Sequence, residues 1–163
     1  AAVVPMRGKS KSGIVVKGIH DLAVRFSKCC NPVPGDEIVG FVTRGRGVTI
    51  HRTDCINVLN LPEMERNRLI DAEWQAEEDE KGTATYATEI SIYANNRIGM
   101  YVDIARIFTE REIDVTNMNA RTNKQGKATI TMSFDIHGTE ELNTLMAKIR
   151  QIDGVLDIER TTG

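Results

Sequence analysis

From Tyr86 to Ala94 the chain alternates, placing Tyr86, Thr88, Ile90, Ile92 and Ala94 on one face of a strand. Residues 99–111 change period, with Met100, Ile104, Ile107 and Phe108 on one helical stripe. A second strand is predicted over 113–122, and its apolar phase slips between Val115 and Met118, which marks a bulge. After a hairpin loop at 123–127, Ala128, Ile130, Met132, Phe134 and Ile136 face one way, while Thr129, Thr131, Ser133, Asp135 and His137 face the other. Thr139 is placed to cap a helix carrying Leu142, Leu145, Met146, Ile149 and Ile152, ended by Gly154 and followed by a closing strand. The order is βαββαβ, which predicts a ferredoxin-like antiparallel sheet with both helices on one face over 84–163.

The pattern before residue 76 is shorter and more broken. Strand candidates occupy 13–19, 22–26, 37–43, 47–52 and 68–74, with Arg44-Gly45-Arg46-Gly47 as a hairpin tip. Thr53 or Asp54 is expected to cap a short helix that begins near Cys55 and ends before Pro62 or at Met64. Residues 13–75 thus predict a small α/β domain, and the chain as a whole is α+β. The acidic, aperiodic stretch 76–83 reads as a linker. Residues 1–12 read as a flexible lead-in, and a start without Met suggests a piece of a longer protein.

Charge sharpens this division. Residues 1–56 hold nine Lys/Arg against four Asp/Glu, 57–82 hold three against eight, and 83–163 hold nine against eleven. A basic first third followed by an acidic spacer points to separate roles. The sequence contains no apolar run of about 18 residues, so no membrane contact is expected. Three cysteines, two of them adjacent, make a poor disulfide framework and fit a reducing, cytoplasmic setting.

The cysteines are the first candidate chemistry. Cys29 and Cys30 are followed by His51 and Cys55, a Cys₃His set of the kind a structural zinc takes, with Asp54 able to replace one ligand. Neighbouring strand residues point to opposite faces, so both Cys29 and Cys30 reach one ion only if the chain bends sharply near Pro32 and Pro34. Buried small thiols are the competing reading. A reactive thiol would need an orienting group and an oxyanion donor, for which the sequence offers no sign, so no catalytic residue is expected.

The second candidate is the loop Asn96-Arg97-Ile98-Gly99-Met100, between the first strand and helix of the carboxy-terminal half. Free backbone N–H groups at a helix start, with no side chain at Gly99, suit a carboxylate. Asn117 and Asn119, on one face of the next strand, could then take the amino group. The competing reading is a simple turn with surface asparagines. The third candidate is the positive charge of Lys28, Arg44, Arg46 and Arg52. It is either a phosphate-facing surface or an ordinary solvated one.

The βαββαβ order with Asn-Arg-x-Gly in its first loop resembles an ACT domain. That resemblance implies amino-acid binding at an interface between paired domains, hence a homodimer. ACT domains usually carry Asp-Arg-Pro-Gly there; the lost Asp leaves carboxylate binding intact but puts any acidic role in doubt. The strings KCCNPVPGD and GRGVTIHRTDC, an acidic spacer and this ACT-like half together resemble the carboxy-terminal regulatory region of long RelA/SpoT-family (p)ppGpp synthetase/hydrolases over about residues 13–163. The resemblance implies a zinc-finger-like, conserved-cysteine domain followed by an ACT domain. It further implies contact with ribosomal RNA and uncharged tRNA during amino-acid starvation, and no catalytic domain in this chain. With an apolar sheet and helix beside the loop, a branched-chain amino acid is the expected ligand. The alternative is a ribosome-contact or dimerisation module without a small ligand.

Overall fold

The computed structural model describes residues 14–16, 23–45, 47–74 and 84–161, which fall into two compact units. The lead-in 1–12, the acidic stretch 76–83 and Arg46 lie outside the described residues.

The first unit holds β1 (Ile14–Val16), β2 (Ala23–Phe26), β3 (Ile38–Val42), β4 (Gly47–Arg52), α1 (Ile56–Leu59), a 3₁₀ helix (Glu63–Arg68) and β5 (Leu69–Trp74). They form one sheet in the order β1-β5-β3-β4-β2, antiparallel except for the parallel β2–β4 pair. One face buries Ile14, Val48, Ile50 and Ala72, with Val24, Phe26, Ile38, Val42, Ile70 and Trp74 packed around them. Phe26 and Trp74 stack at 5.7 Å, and the Trp74 indole N–H donates to the Asp36 carbonyl. Pairing with β4 puts Val39 beside His51, away from that core. A second, smaller cluster gathers there: Cys30, Cys55 and Val58, with Cys29 and Val39 against them.

Two tight turns shape residues 27–36. The Asn31 N–H donates to the Ser27 carbonyl at 2.9 Å, closing one helical turn, and Asn31 then adopts φ 47°. Asn is among the few non-glycine residues that accept this left-handed geometry. At Val33–Asp36 the backbone closes again, Gly35 takes φ 101°, and the Asp36 carboxylate accepts from the Val33 N–H at 2.8 Å.

The second unit is built from β6 (Tyr86–Asn95), α2 (Met100–Glu110), β7 (Val115–Thr122), β8 (Lys127–Ile136), α3 (Thr139–Arg150) and β9 (Val155–Arg160). Its antiparallel sheet runs β7-β8-β6-β9 in space, with the βαββαβ order that the alternation predicts. The core joins Ile90, Ile92, Ala94, Ile130, Met132, Phe134 and Ile136 of the sheet to Met100, Ile104, Phe108, Leu142, Leu145 and Ile149 of the helices. Phe108 meets Phe134 edge-on at 5.0 Å. The β7–β8 register shifts between Val115 and Asn117, where the apolar phase slips.

The expected helix caps do not form. The residues preceding α1, α2 and α3 are Cys55, Gly99 and Gly138, none with a side-chain cap bond. Thr139 is already the first residue of α3, and the Asp54 carboxylate is engaged by Arg52. α1 is also shorter than expected: it stops at Leu59, and a 3₁₀ segment follows Pro62.

Substituting Asn31 tests the first turn. Urea unfolding of the full chain is expected to show Asn31→Ala less stable by up to roughly 1–2 kcal/mol, because alanine bears the left-handed penalty that a short polar side chain offsets by local hydrogen bonding. Asn31→Gly should leave stability nearly unchanged, and equal losses in both variants would refute this account of the turn.

Candidate functional site

The helical turn at 27–31 removes the obstacle raised by adjacent cysteines. Successive residues on a helical turn lie about 100° apart, not 180°, so both side chains can lean toward one point. His51 comes from the end of β4 and Cys55 from the start of α1. The four ligand atoms all lie within 4.8 Å of one another. Cys29 Sγ is 3.4 Å from Cys55 Sγ and 3.5 Å from His51 Nδ1, and Cys30 Sγ is 3.9 Å from the same nitrogen. Tetrahedral zinc, with Zn–S about 2.3 Å and Zn–N about 2.0–2.1 Å, sets its ligand atoms about 3.5–3.8 Å apart. The cluster therefore fits a metal of that coordination.

The surroundings treat the three thiols differently. Burial pushes the Cys30 thiol up to about 12 and raises Cys55 as well. Burial also opposes ionisation of Cys29, but hydrogen bonds from Ser27 and Asn57 and from the other two thiols outweigh it, and its pKa falls. Ser27 Oγ sits 2.7 Å from Cys29 Sγ. Burial lowers the His51 pKa and favours the neutral imidazole that binds metals.

Asp54 is not a fourth-ligand substitute. Both its oxygens accept from the Arg52 guanidinium, Oδ1 from Nε at 2.9 Å and Oδ2 from Nη2 at 2.6 Å. Arg52, expected among the outward-facing cations, is buried. Burial works against its charge, yet the hydrogen-bonded Asp54, together with the negative charge of Asp36, outweighs that and raises its pKa. The strand pattern held the clue: Val48, Ile50 and Arg52 share one face of Gly47–Arg52, which alternates half-buried and buried.

Lys28 and Arg44 are exposed, but they do not form one patch. Lys28 adjoins the thiols. Arg44 sits beyond the Val42–Val48 pair, while the ligands gather at the Ile38–Arg52 end of the same hairpin, about 14 Å along the strands at about 3.4 Å per residue.

In the second unit, the loop before α2 is held from both sides. The Asn95 N–H donates to the Gly154 carbonyl and the Asn96 N–H to Gly126, each at 2.7 Å. Gly99 takes φ 84°, which only glycine adopts freely. Gly154, at φ 94°, lies so close that an added β-carbon would stand 2.9 Å from Met100 Cε. Met100 is buried, whereas Ile98 is 102% exposed and Asn96 also faces outward. The Arg97 guanidinium straps the loop down: Nη2 meets Asp103 at 2.8 Å, Nε donates to the Asp153 carbonyl at 2.8 Å, and Nη1 to Ile98. Sequence reasoning missed Asp103, which pairs with Arg97 and adds a negative charge to the first turn of α2.

Asn117 and Asn119 do not join this loop within one chain. They pair with Ser133 and Thr131, which pair with Glu89 and Ser91, on the sheet face away from the buried Ile90 and Ile92. The Ser91 level lies about 14 Å, and the Glu89 level about 20 Å, before Asn95 along β6. A clamp using both loop and asparagines requires two chains.

Comparison with known proteins places both units. Residues 14–75 match the RelA/SpoT RIS domain and residues 82–160 the ACT domain. The GTP pyrophosphokinase of Escherichia coli is 35% identical over 158 residues, covering 96% of this chain and 21% of that protein. The GTP pyrophosphokinase of Streptomyces coelicolor is 32% identical over 168 residues, covering 99% of this chain and 19% of its own length. The chain thus spans about a fifth of the length of these relatives. Among solved structures, the ACT domain from GTP pyrophosphokinase of Chlorobium tepidum is 25% identical, covers 47% of this chain and 99% of its own, and superposes with a TM-score of 0.43. Among the described residues no helix is long and apolar enough to cross a membrane. The chain belongs to the RelA/SpoT family, as a RIS domain joined to an ACT domain.

Proposed function

We propose that this chain is a regulatory portion of a cytoplasmic (p)ppGpp synthetase/hydrolase and contributes no catalytic group. Its RIS unit holds a structural zinc and docks on ribosomal RNA, where the whole protein senses starvation through uncharged tRNA. Its ACT unit pairs with a second copy. The observation that carries this reading is the convergence of Cys29, Cys30, His51 and Cys55 from three separate segments on one point. When bound, zinc cross-links those segments and fixes the surface around them. Cys29 and Cys30 would hold it from the turn, His51 from β4 and Cys55 from the start of α1.

Elemental analysis of the untagged chain is expected to give one zinc, lost in Cys29→Ala and in Cys55→Ala. Because Cys30 and Cys55 are protonated near neutrality until metal arrives, loading should release protons, and apparent affinity should rise with pH. His51 works in the same direction. Its folded pKa lies below the ordinary 6.5, so the stability it lends is present above 6.5 and is lost as pH falls through the folded value. A metal content independent of pH between neutrality and mild acid would contradict this site.

RNA docking is supported by the exposed Lys28 and Arg44, two separate positive points that can meet a phosphate backbone. Binding to a ribosomal RNA duplex should weaken steeply with salt. The Arg44→Ala/Arg46→Ala double variant should lower the log–log salt slope by roughly 1–2. A slope unchanged by the substitutions would remove the hairpin tip from the interface.

A second reading, that the ACT unit also binds a branched-chain amino acid, is favoured by the side-chain-free Gly99 at the start of α2. Backbone groups at 97–100 would take the carboxylate and Asn117 or Asn119 of a second copy the amino group. Titration calorimetry with valine, isoleucine and leucine should give saturable heat that disappears in the Asn117→Ala/Asn119→Ala double variant. Absence of heat with all three, in a folded sample, would leave the ACT unit as a pairing module only.

A further inference from the structure

We infer that Arg52 is a positioning residue for the metal centre: it braces the two chain segments that supply the cysteines and sets how tightly the metal is held. The inference rests on the zinc reading above, and it assigns a role to a buried cation that this reading does not use.

The geometry is specific. Cys30 lies on the 27–31 turn, and Cys55 opens α1. Neither segment is secured to the other by a long strand pairing of its own. Arg52 reaches both. Its backbone N–H donates to Cys30 Sγ at 3.3 Å, and its Nη1 donates to the Cys30 carbonyl at 3.2 Å. The remaining edge of the guanidinium forms a two-pronged bond with Asp54, the residue just before Cys55. The Cys55 N–H in turn donates to the Arg52 carbonyl at 3.0 Å. One residue therefore holds Cys30 at its sulfur and its carbonyl, and holds Cys55 through its neighbour and its own backbone.

Burial makes the brace stiff. The Arg52 side chain is 6% exposed and the Asp54 side chain 61%, so the guanidinium is enclosed while its partner lies at the rim. Three thiolates and a neutral imidazole around a divalent ion leave a net negative centre, and a buried guanidinium beside it favours the loaded state. A lysine cannot take this place. It has no planar fork for a carboxylate and cannot face a carbonyl and a carboxylate in one plane.

The test uses the full chain, with zinc affinity measured by chelator competition and cobalt(II) as a spectroscopic probe of tetrahedral thiolate ligation. Arg52→Met and Arg52→Lys are each expected to weaken zinc binding roughly 10- to 100-fold and to reduce the cobalt–thiolate absorption. Asp54→Ala, at an exposed rim position, should fold normally and weaken zinc in the same direction. An Asp54→Ala affinity within about twofold of the parent, together with an unchanged cobalt spectrum, overturns the inference, since outer contacts that orient ligands cost more than that. Full recovery in Arg52→Lys also overturns it, because charge alone would then suffice. A fall in melting temperature without a change in zinc affinity would mark Arg52 as a structural strut only and counts against it. If the parent chain binds no zinc, the metal reading and this inference fall together. If the parent binds and the variants match it, only the inference falls.

Discussion

The cysteine cluster of the RIS unit depends on bringing two adjacent side chains to one centre. An extended chain cannot do this, since neighbours in a strand diverge. The single helical turn at 27–31, ended by Asn31 in a left-handed conformation, meets the requirement with five residues. The prolines that follow do not bend the chain at the cysteines themselves. They lead into the Val33–Asp36 turn, which brings Asp36 back beside Trp74 and so ties the cysteine turn to the core of the sheet.

The two units differ in how much of them the sequence discloses. In the ACT unit, ten-residue strands and two helices carry enough repeats for their faces to be read directly, including the phase slip at the start of β7. The RIS strands are three to six residues long, too short for period alone to fix their partners. The parallel β2–β4 pairing follows from tertiary packing and has no local signal. The candidate metal ligands were legible as residue types and spacing; their convergence was not, because it depends on the turn at 27–31 and on how β4 and α1 pack beside it. Arg52 illustrates a further limit. Its charge suggested the surface, while the alternation Val48, Ile50, Arg52 placed it inside. A carboxylate partner at the rim, Asp54 two residues on, is what allows the pattern to prevail over the charge.

The loop before α2 shows a similar contest. Helix-start geometry at Gly99 resembles an anion site, yet Arg97 is already paired with Asp103 in the first turn of α2. The strap from Arg97 to Asp103 and Asp153 makes this loop part of the fold's framework. The distance of Asn117 and Asn119 from the loop follows from register, since β7 pairs with β8 and only β8 touches β6. Their side of the sheet was readable from sequence, but their level along it was not.

The β3–β4 hairpin has a division of labour along its length. Its base is committed to the thiols, and its tip, at Arg44 and Gly45, is open to solvent. Base and tip are separated by a stretch of regular ladder, so changes in tip length or charge leave the coordinating end untouched. What the tip meets can therefore be changed one side chain at a time without moving His51 at the other end of the ladder.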